Sequence, residues 1–189
     1  MPVKINRSCK EERHEIYNGI KERSIMIREI MKRKSVRTYT EEEVTREELE
    51  DLLRAGMQAP SACNTQNWKF IATNNLELVH KVGELPGYYG MAKGAGAVII
   101  AMGEPGVKFG EFTEVNVAAT IENILLEATS IGLGAVWCAI HPMEERIAAF
   151  RELFAIEEKY LPIACIVIGH TDDKEDRRDT YDPEKVIWK

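Results

Sequence analysis

The sequence predicts an α+β fold. Apolar runs of strand length at residues 68–73, 97–102, 135–140 and 161–169 are separated by stretches of helical period, without a strict strand–helix–strand rhythm. No internal repeat or low-complexity tract interrupts them, and 189 residues are enough for one domain with its own core. That domain is expected over residues 25–189, behind a charged extension at residues 1–24. Ile16, Ile20 and Ile27 recur at roughly helical spacing, so the extension reads either as an amphipathic helix or as a solvated arm.

Each element has its own signal. Residues 25–33 read as a short helix. Thr45 and Glu48 spell a capping box, Val44 and Leu49 stand at staple positions, and Leu49, Leu52 and Leu53 form the inward stripe of a helix that Pro60 ends. A strand follows from Trp68 to Thr73, then an Asn74–Asn75 turn and a short helix from Leu76 to Val82. Five glycines and Pro86 between Gly83 and Gly96 predict a mobile loop, a lid or the wall of a site. Ala97–Met102 is apolar throughout, as a buried strand should be. The longest helix is expected over 113–131, striped by Val117, Ile121, Ile124, Leu125 and Ala128. Ala118 and Ala119 leave room there for a second helix, and Gly132 and Gly134 stop it. Ala135–Ile140 and Leu161–Gly169 are the last strands, with a helix from Met143 to Phe154 between them. Val186, Ile187 and Trp188 form an apolar end unsuited to water.

Composition excludes several classes. At 44% hydrophobic and 30% charged the chain is not a disordered polymer, and a formal charge of −6 argues against a general nucleic-acid binder. Cys9, Cys63, Cys138 and Cys165 are scattered without a C-x-x-C pair, as in a reduced, cytoplasmic protein. No apolar leader and no run of about 20 apolar residues is present, so a soluble cytoplasmic chain is expected. Cys138 and His141 offer too few ligands for a metal site, and none is expected. The glycines of 83–96 do not spell a dinucleotide fingerprint. Cys63, with no histidine near it in sequence, reads as a small buried side chain.

Two short segments carry the chemistry. Arg33-Lys34-Ser35-Val36-Arg37, taken alone, is a basic helix end facing the C-terminal dipole. If extended, it sends residues 33, 35 and 37 to one side, so that two guanidiniums and a hydroxyl line up along an elongated anion. Lys32 and Lys34 add local positive charge. About two dozen residues later comes Ala59-Pro60-Ser61-Ala62-Cys63-Asn64-Thr65-Gln66-Asn67-Trp68, a loop of small and amide side chains closed by an indole. Cations for one end and amides for a ring edge suit a flat, phosphate-bearing ligand.

In this order and spacing the two segments resemble the FMN-dependent nitroreductase family, and the resemblance covers about residues 27–189. It implies a central, mostly antiparallel sheet flanked by helices, in an intertwined homodimer with FMN at the subunit interface. Arg33, Lys34 and Ser35 would hold the ribityl-phosphate portion, and Arg37 the pyrimidine side of the ring. Pro60, Ser61, Ala62, Asn64 and Gln66 would meet the flavin bound mainly by the other subunit. A backbone N–H near Ala139 or Ile140 would reach flavin N5, and Arg177 or Arg178 would complete the phosphate site. Where the family more often has proline, this chain has Asn67, which is expected to loosen the turn.

The implied activity is ping-pong hydride transfer. NADH or NADPH reduces the flavin transiently, and an electron-poor nitroaromatic, quinone or activated alkene takes the electrons. No side chain need be an acid or base in flavin reduction, and Tyr88 or Tyr89 would shape the acceptor pocket or simply pack the loop. The alternatives are a dehalogenating or flavin-fragmenting relative of the same fold, a non-catalytic FMN store or sensor, and a cofactor-free interaction module.

Overall fold

The computed structural model describes residues 27–173 and 180–189. In order they form α1 (Arg28–Lys32), α2 (Arg46–Met57), β1 (Trp68–Thr73), α3 (Leu76–Val82), β2 (Ala97–Gly103), α4 (Thr113–Ser130), β3 (Leu133–Ala139), α5 (Glu144–Phe154) and β4 (Leu161–His170). The four strands make one antiparallel sheet in the order β1-β2-β4-β3, the arrangement expected.

The sheet separates two apolar layers because strand side chains alternate. Ala97, Ile99 and Ala101 of β2 point to one face, where Leu49 and Leu52 of α2 and Val117, Ile121 and Ile124 of α4 cover them. Val98, Ile100 and Met102 point to the other, against Val79 and Val82 of α3 and Ile147 and Phe150 of α5. The α2 capping box is formed: the Glu48 N–H donates to Thr45 Oγ1 at 3.2 Å, and the Thr45 N–H donates to Glu48 Oε2 at 2.8 Å. Asn75 caps α3 by accepting from the Glu77 and Leu78 N–H groups. No helix among the described residues is long and apolar enough to cross a membrane.

The structure revises several expectations. The 83–96 segment is a packed wall: Tyr89, Ala92 and Ala95 are buried and join the α3/α5 layer. Gly132, at φ +86°, does end α4, but Gly134 lies inside β3. A Cβ on Gly134 would stand 2.6 Å from Val36 Cγ1, so its role is to let the 35–37 segment approach the strand. Cys63 is exposed, at φ 50°, rather than buried. Ile187 and Trp188 are exposed on this chain. The extension at 1–24 lies outside the described residues, as do Arg177 and Arg178.

The turn after β3 is anchored on β4, beside a bulge in the β2–β4 pairing. The register between β2 and β4 slips at Ala101/Met102, passing from Ala164 to Pro162 and leaving Ile163 unpaired with β2. The Ile163 carbonyl then accepts two bonds from the other side, from the Ile140 N–H at 3.0 Å and the His141 N–H at 3.1 Å. This double bond to one oxygen fixes where β3 stops and its following turn begins.

Candidate functional site

The site grows from the outer edge of β3. One side of this strand pairs with β4; on the other, the Val36 N–H donates to the Ala135 carbonyl at 3.0 Å, within a short parallel bridge between Ser35 and Ala135. The polar groups of Ala135 therefore face away from β4. By the two-residue period those of Trp137 and Ala139 face the same open edge. The Ala139 carbonyl agrees, accepting from the Tyr89 hydroxyl at 2.7 Å and from Arg146 Nη1 at 3.0 Å. From Ala135 to Ala139 this edge runs about 13 Å, the length of a ring with a short polar tail. Trp137 and Ala139 also present exposed side-chain positions there.

The 35–37 stretch lies along one end of that edge in the alternating pattern expected, whereas Arg33 and Lys34 are both half-buried and do not continue it. Val36 is buried, whereas Ser35 and Arg37 are exposed. Arg37 Nη1 donates to the Ser35 carbonyl at 3.2 Å. Arg33 approaches Glu122 of α4 at 3.6 Å, and Lys34 pairs with Asp173. Lys34 also lines a cavity of about 380 Å³ with Arg28, Lys32, Ser130 and Thr171, behind Val36 and Ala135.

The Pro60–Gln66 loop stands elsewhere on the chain. It is tied to the start of α4, and Gln66 lines a separate pocket with Trp68, Lys108 and Tyr160. Cys63, Asn64 and Gln66 all have positive φ, between 47° and 53°, a left-handed backbone that costs side-chain-bearing residues energy. A buried network holds them. Asn116 Oδ1 accepts from the Ala62 N–H at 2.9 Å, and Asn116 Nδ2 donates to Asn67 Oδ1 at 2.9 Å and to Thr65 Oγ1 at 3.3 Å. Asn67 Nδ2 donates to Thr113 Oγ1 at 2.7 Å and to the Glu104 carbonyl. Ser61 Oγ accepts from the Gln66 N–H. Asn67 thus does not loosen the turn as expected; it anchors it.

Of the two amides expected near a ring, that of Ile140 is engaged with Ile163, which leaves Ala139 as the residue facing the open edge. A pocket of about 190 Å³ opens beside it, lined by Arg37, Tyr88, Tyr89, Met91, Val136, Trp137, Cys138 and Arg146. Burial pushes the Cys138 thiol up to about 11, against the pull of Arg37 and Arg146, so it is a neutral wall and not a nucleophile. Burial likewise raises the Tyr89 hydroxyl, keeping it a donor to Ala139 at neutral pH. His141 turns from Cys138 to Glu114, its Nε2 3.1 Å from Glu114 Oε1, while its Nδ1 is sealed without a partner. No metal-binding cluster exists among the described residues.

Sequence reasoning missed Asn116 and Arg146. A signal for the first existed: Thr113, Asn116 and Thr120 are polar residues on the buried stripe of α4, where a polar side chain needs a buried partner. Nothing in the sequence separated Arg146 from other exposed-helix arginines.

Known proteins resemble this arrangement. A protein of Methanothermobacter thermautotrophicus, named provisionally as an NADH dehydrogenase/NAD(P)H nitroreductase, is 35% identical over 158 residues, covering 83% of each chain. A Clostridium acetobutylicum structure, provisionally an NADH oxidase, superposes with a TM-score of 0.80 at 36% identity, covering 84% of this chain and 97% of that one. A Desulfovibrio desulfuricans structure, named provisionally as a nitroreductase in complex with FMN, gives a TM-score of 0.70 at 25% identity, covering 85% and 94%. The nitroreductase family profile matches residues 30–87 and 85–170. The chain belongs to the nitroreductase family.

Proposed function

We propose that this chain is an FMN-dependent oxidoreductase that passes electrons from NADH or NADPH to an electron-poor nitroaromatic, quinone or activated alkene by a ping-pong mechanism. The observation that carries the reading is the open edge of β3, with Ser35 and Arg37 at one end and Ala139 at the other. The residues present fit the cofactor: the edge is long enough for the flavin ring, guanidiniums line the pocket beside it, and Trp137 supplies an uncovered aromatic face. Relatives named for NAD(P)H and for an FMN complex support the same assignment.

When bound, FMN would supply the two-electron chemistry, accepting hydride and giving it up again. Arg33, Lys34 and Ser35 would hold its phosphate end, with Arg177 or Arg178 completing the set. Arg37 would face the pyrimidine side and stabilise negative charge there. The Ala139 N–H, on the open edge, is the better placed donor to N5. Cys138 and Val136 exclude water from the strand side.

Pro60, Ser61, Ala62, Asn64 and Gln66 sit apart from this edge on one chain, so their part in the site requires a homodimer. Its interface would use apolar side chains left exposed here, among them Met57, Val115, Ile187 and Trp188. Residues 25–189 would form the catalytic domain and 1–24 an extension, in a cytoplasmic protein whose described cysteines are free thiols. The test is direct. Purified protein should be yellow, run as a dimer, and bleach anaerobically with NADH or NADPH. Colour without bleaching would exclude turnover, and a colourless chain that FMN cannot reconstitute would exclude the cofactor.

A further inference from the structure

We propose that Tyr89 is a positioning residue for the cofactor: its hydroxyl, by occupying the Ala139 carbonyl, leaves Ala139 facing the ring as a donor alone and so disfavours the reduced flavin. The inference rests on the flavin reading for the ring that meets this edge. What the hydroxyl does to Ala139 is argued from the chain itself.

A residue of an antiparallel strand sends its N–H and its C=O to the same side. Ala139 therefore brings one donor and one acceptor to the open edge, and a ligand atom that suits the first is repelled by the second. Here the acceptor is filled. A carbonyl oxygen has two lone pairs, and two donors reach this one: the Tyr89 hydroxyl at 2.7 Å and Arg146 Nη1 at 3.0 Å. The next N–H, that of Ile140, donates to the Ile163 carbonyl at 3.0 Å. The peptide joining Ala139 to Ile140 is thus held at both of its polar atoms. The Ala139 N–H stays on offer.

Tyr89 is the more firmly seated of the two donors. It is 1% exposed, whereas Arg146 is half-buried. Its ring stands edge-on to Phe150, with centroids 5.1 Å apart, and Phe150 stacks on Phe154. The preceding chain makes room for that ring: Gly87 has φ +127°, and a Cβ there would come within 2.8 Å of Tyr89 Cε2. Burial raises the hydroxyl, so it donates throughout the neutral range. Oxidised flavin presents a bare acceptor at N5, which suits a lone donor. Reduction puts a hydrogen on N5, and a bare Ala139 carbonyl would be the acceptor for it on the same edge. With that oxygen filled, the reduced ring gains no such partner.

The experiment titrates the holoprotein and Tyr89→Phe anaerobically against a reference redox dye, reading reduced and oxidised flavin from the visible bands. Phenylalanine keeps the ring and deletes one oxygen. At a fixed dye poise the reduced-to-oxidised ratio should rise about three- to tenfold, the effect of one hydrogen bond, with FMN content near that of the wild type. An unchanged or lowered ratio would overturn the proposal, because a hydroxyl that merely packs the loop leaves the cofactor as it was. Loss of FMN from the variant would overturn it too, by making the hydroxyl a support of binding or fold. A second readout needs no flavin. In nitrogen-15 spectra of the full chain, Tyr89→Phe should shift the Ala139 and Ile140 amide signals and spare that of Leu52, in the other apolar layer. An unmoved Ala139 signal would overturn the positioning. A wild type that bound no FMN would end the flavin reading and the redox consequence with it, while the amide signals still decide whether Tyr89 holds Ala139.

Discussion

Asn116 Nδ2 donates to Asn67 Oδ1 at 2.9 Å, joining the first turns of α4 to the last residue before β1, with both side chains sealed from solvent. The same Asn116 accepts from the Ala62 N–H, so one amide holds both ends of a loop with three left-handed residues. Asn116→Ala leaves the Ala62 N–H and Asn67 Oδ1 unsatisfied and should cost about 2–3 kcal/mol. Urea unfolding at fixed pH measures it, and a loss under 0.5 kcal/mol would show that the loop does not depend on this network. Asn67→Pro should also destabilise this chain, because Thr113 and Asn116 are built for an amide.

Gly134→Ala should act on the site more than on the fold. The new Cβ meets Val36 Cγ1 at 2.6 Å and Thr171 Cγ2 at 2.9 Å, so the 35–37 segment must move off β3. Overpacking of this kind costs about 1–3 kcal/mol. Flavin content after purification should fall, while far-ultraviolet circular dichroism stays that of the wild type. Full retention of FMN would mean that the segment's seat on β3 is irrelevant to binding.

Arg33→Ala tests the phosphate end. Arg33 approaches Glu122 of α4 at 3.6 Å, a long contact to a half-exposed carboxylate that contributes little to stability. The expected outcome is a melting temperature within a few degrees of wild type and FMN affinity reduced at least tenfold. Wild-type cofactor content would remove Arg33 from the site.

Alkaline titration tests Cys138. Its thiol is pushed up to about 11 in the folded chain from an ordinary value of 9.0, so above pH 9 the unfolded chain loses a proton that the folded chain keeps. Stability contributed by the neutral thiol is complete below pH 9 and is lost as pH rises through 11. Cys165, Tyr39 and Tyr89 are raised by burial too and add to the same slope. Cys138→Ala should therefore flatten the fall of unfolding free energy with pH by up to about 1.4 kcal/mol per unit. An unchanged slope between pH 9 and 11 would show that the thiol is hydrated.

The fold was legible because local signals were strong and agreed with one another. The Thr45–Glu48 box, the Asn75 cap and the all-apolar Ala97–Met102 run each name one structure, and each appears within a residue or two of its expected bounds. What failed depended on contacts distant in sequence. Gly134 read as a helix stop because nothing local reveals Val36 above it, and Asn67 read as a looser turn because its partners lie 46 and 49 residues away. The alternation of Ser35, Val36 and Arg37 was readable from strand geometry alone, but the turn of Arg33 toward Glu122 was not. The choice between Ala139 and Ile140 was not, since it turns on which of two neighbouring amides faces β4, and the β3–β4 register gives that bond to Ile140 and Ile163.

An unpaired strand margin invites a second chain to zip onto it. Here the hazard is cut short at both ends: Ser35 and Val36 cover Ala135, while the Tyr89 hydroxyl and Arg146 occupy the oxygen of Ala139. Among the described residues, what is left of this edge is the stretch around Trp137, too brief to template a ladder. Guarding a margin at its two ends leaves a gap wide enough for a small molecule yet too narrow for another strand, so openness here does not bring stickiness.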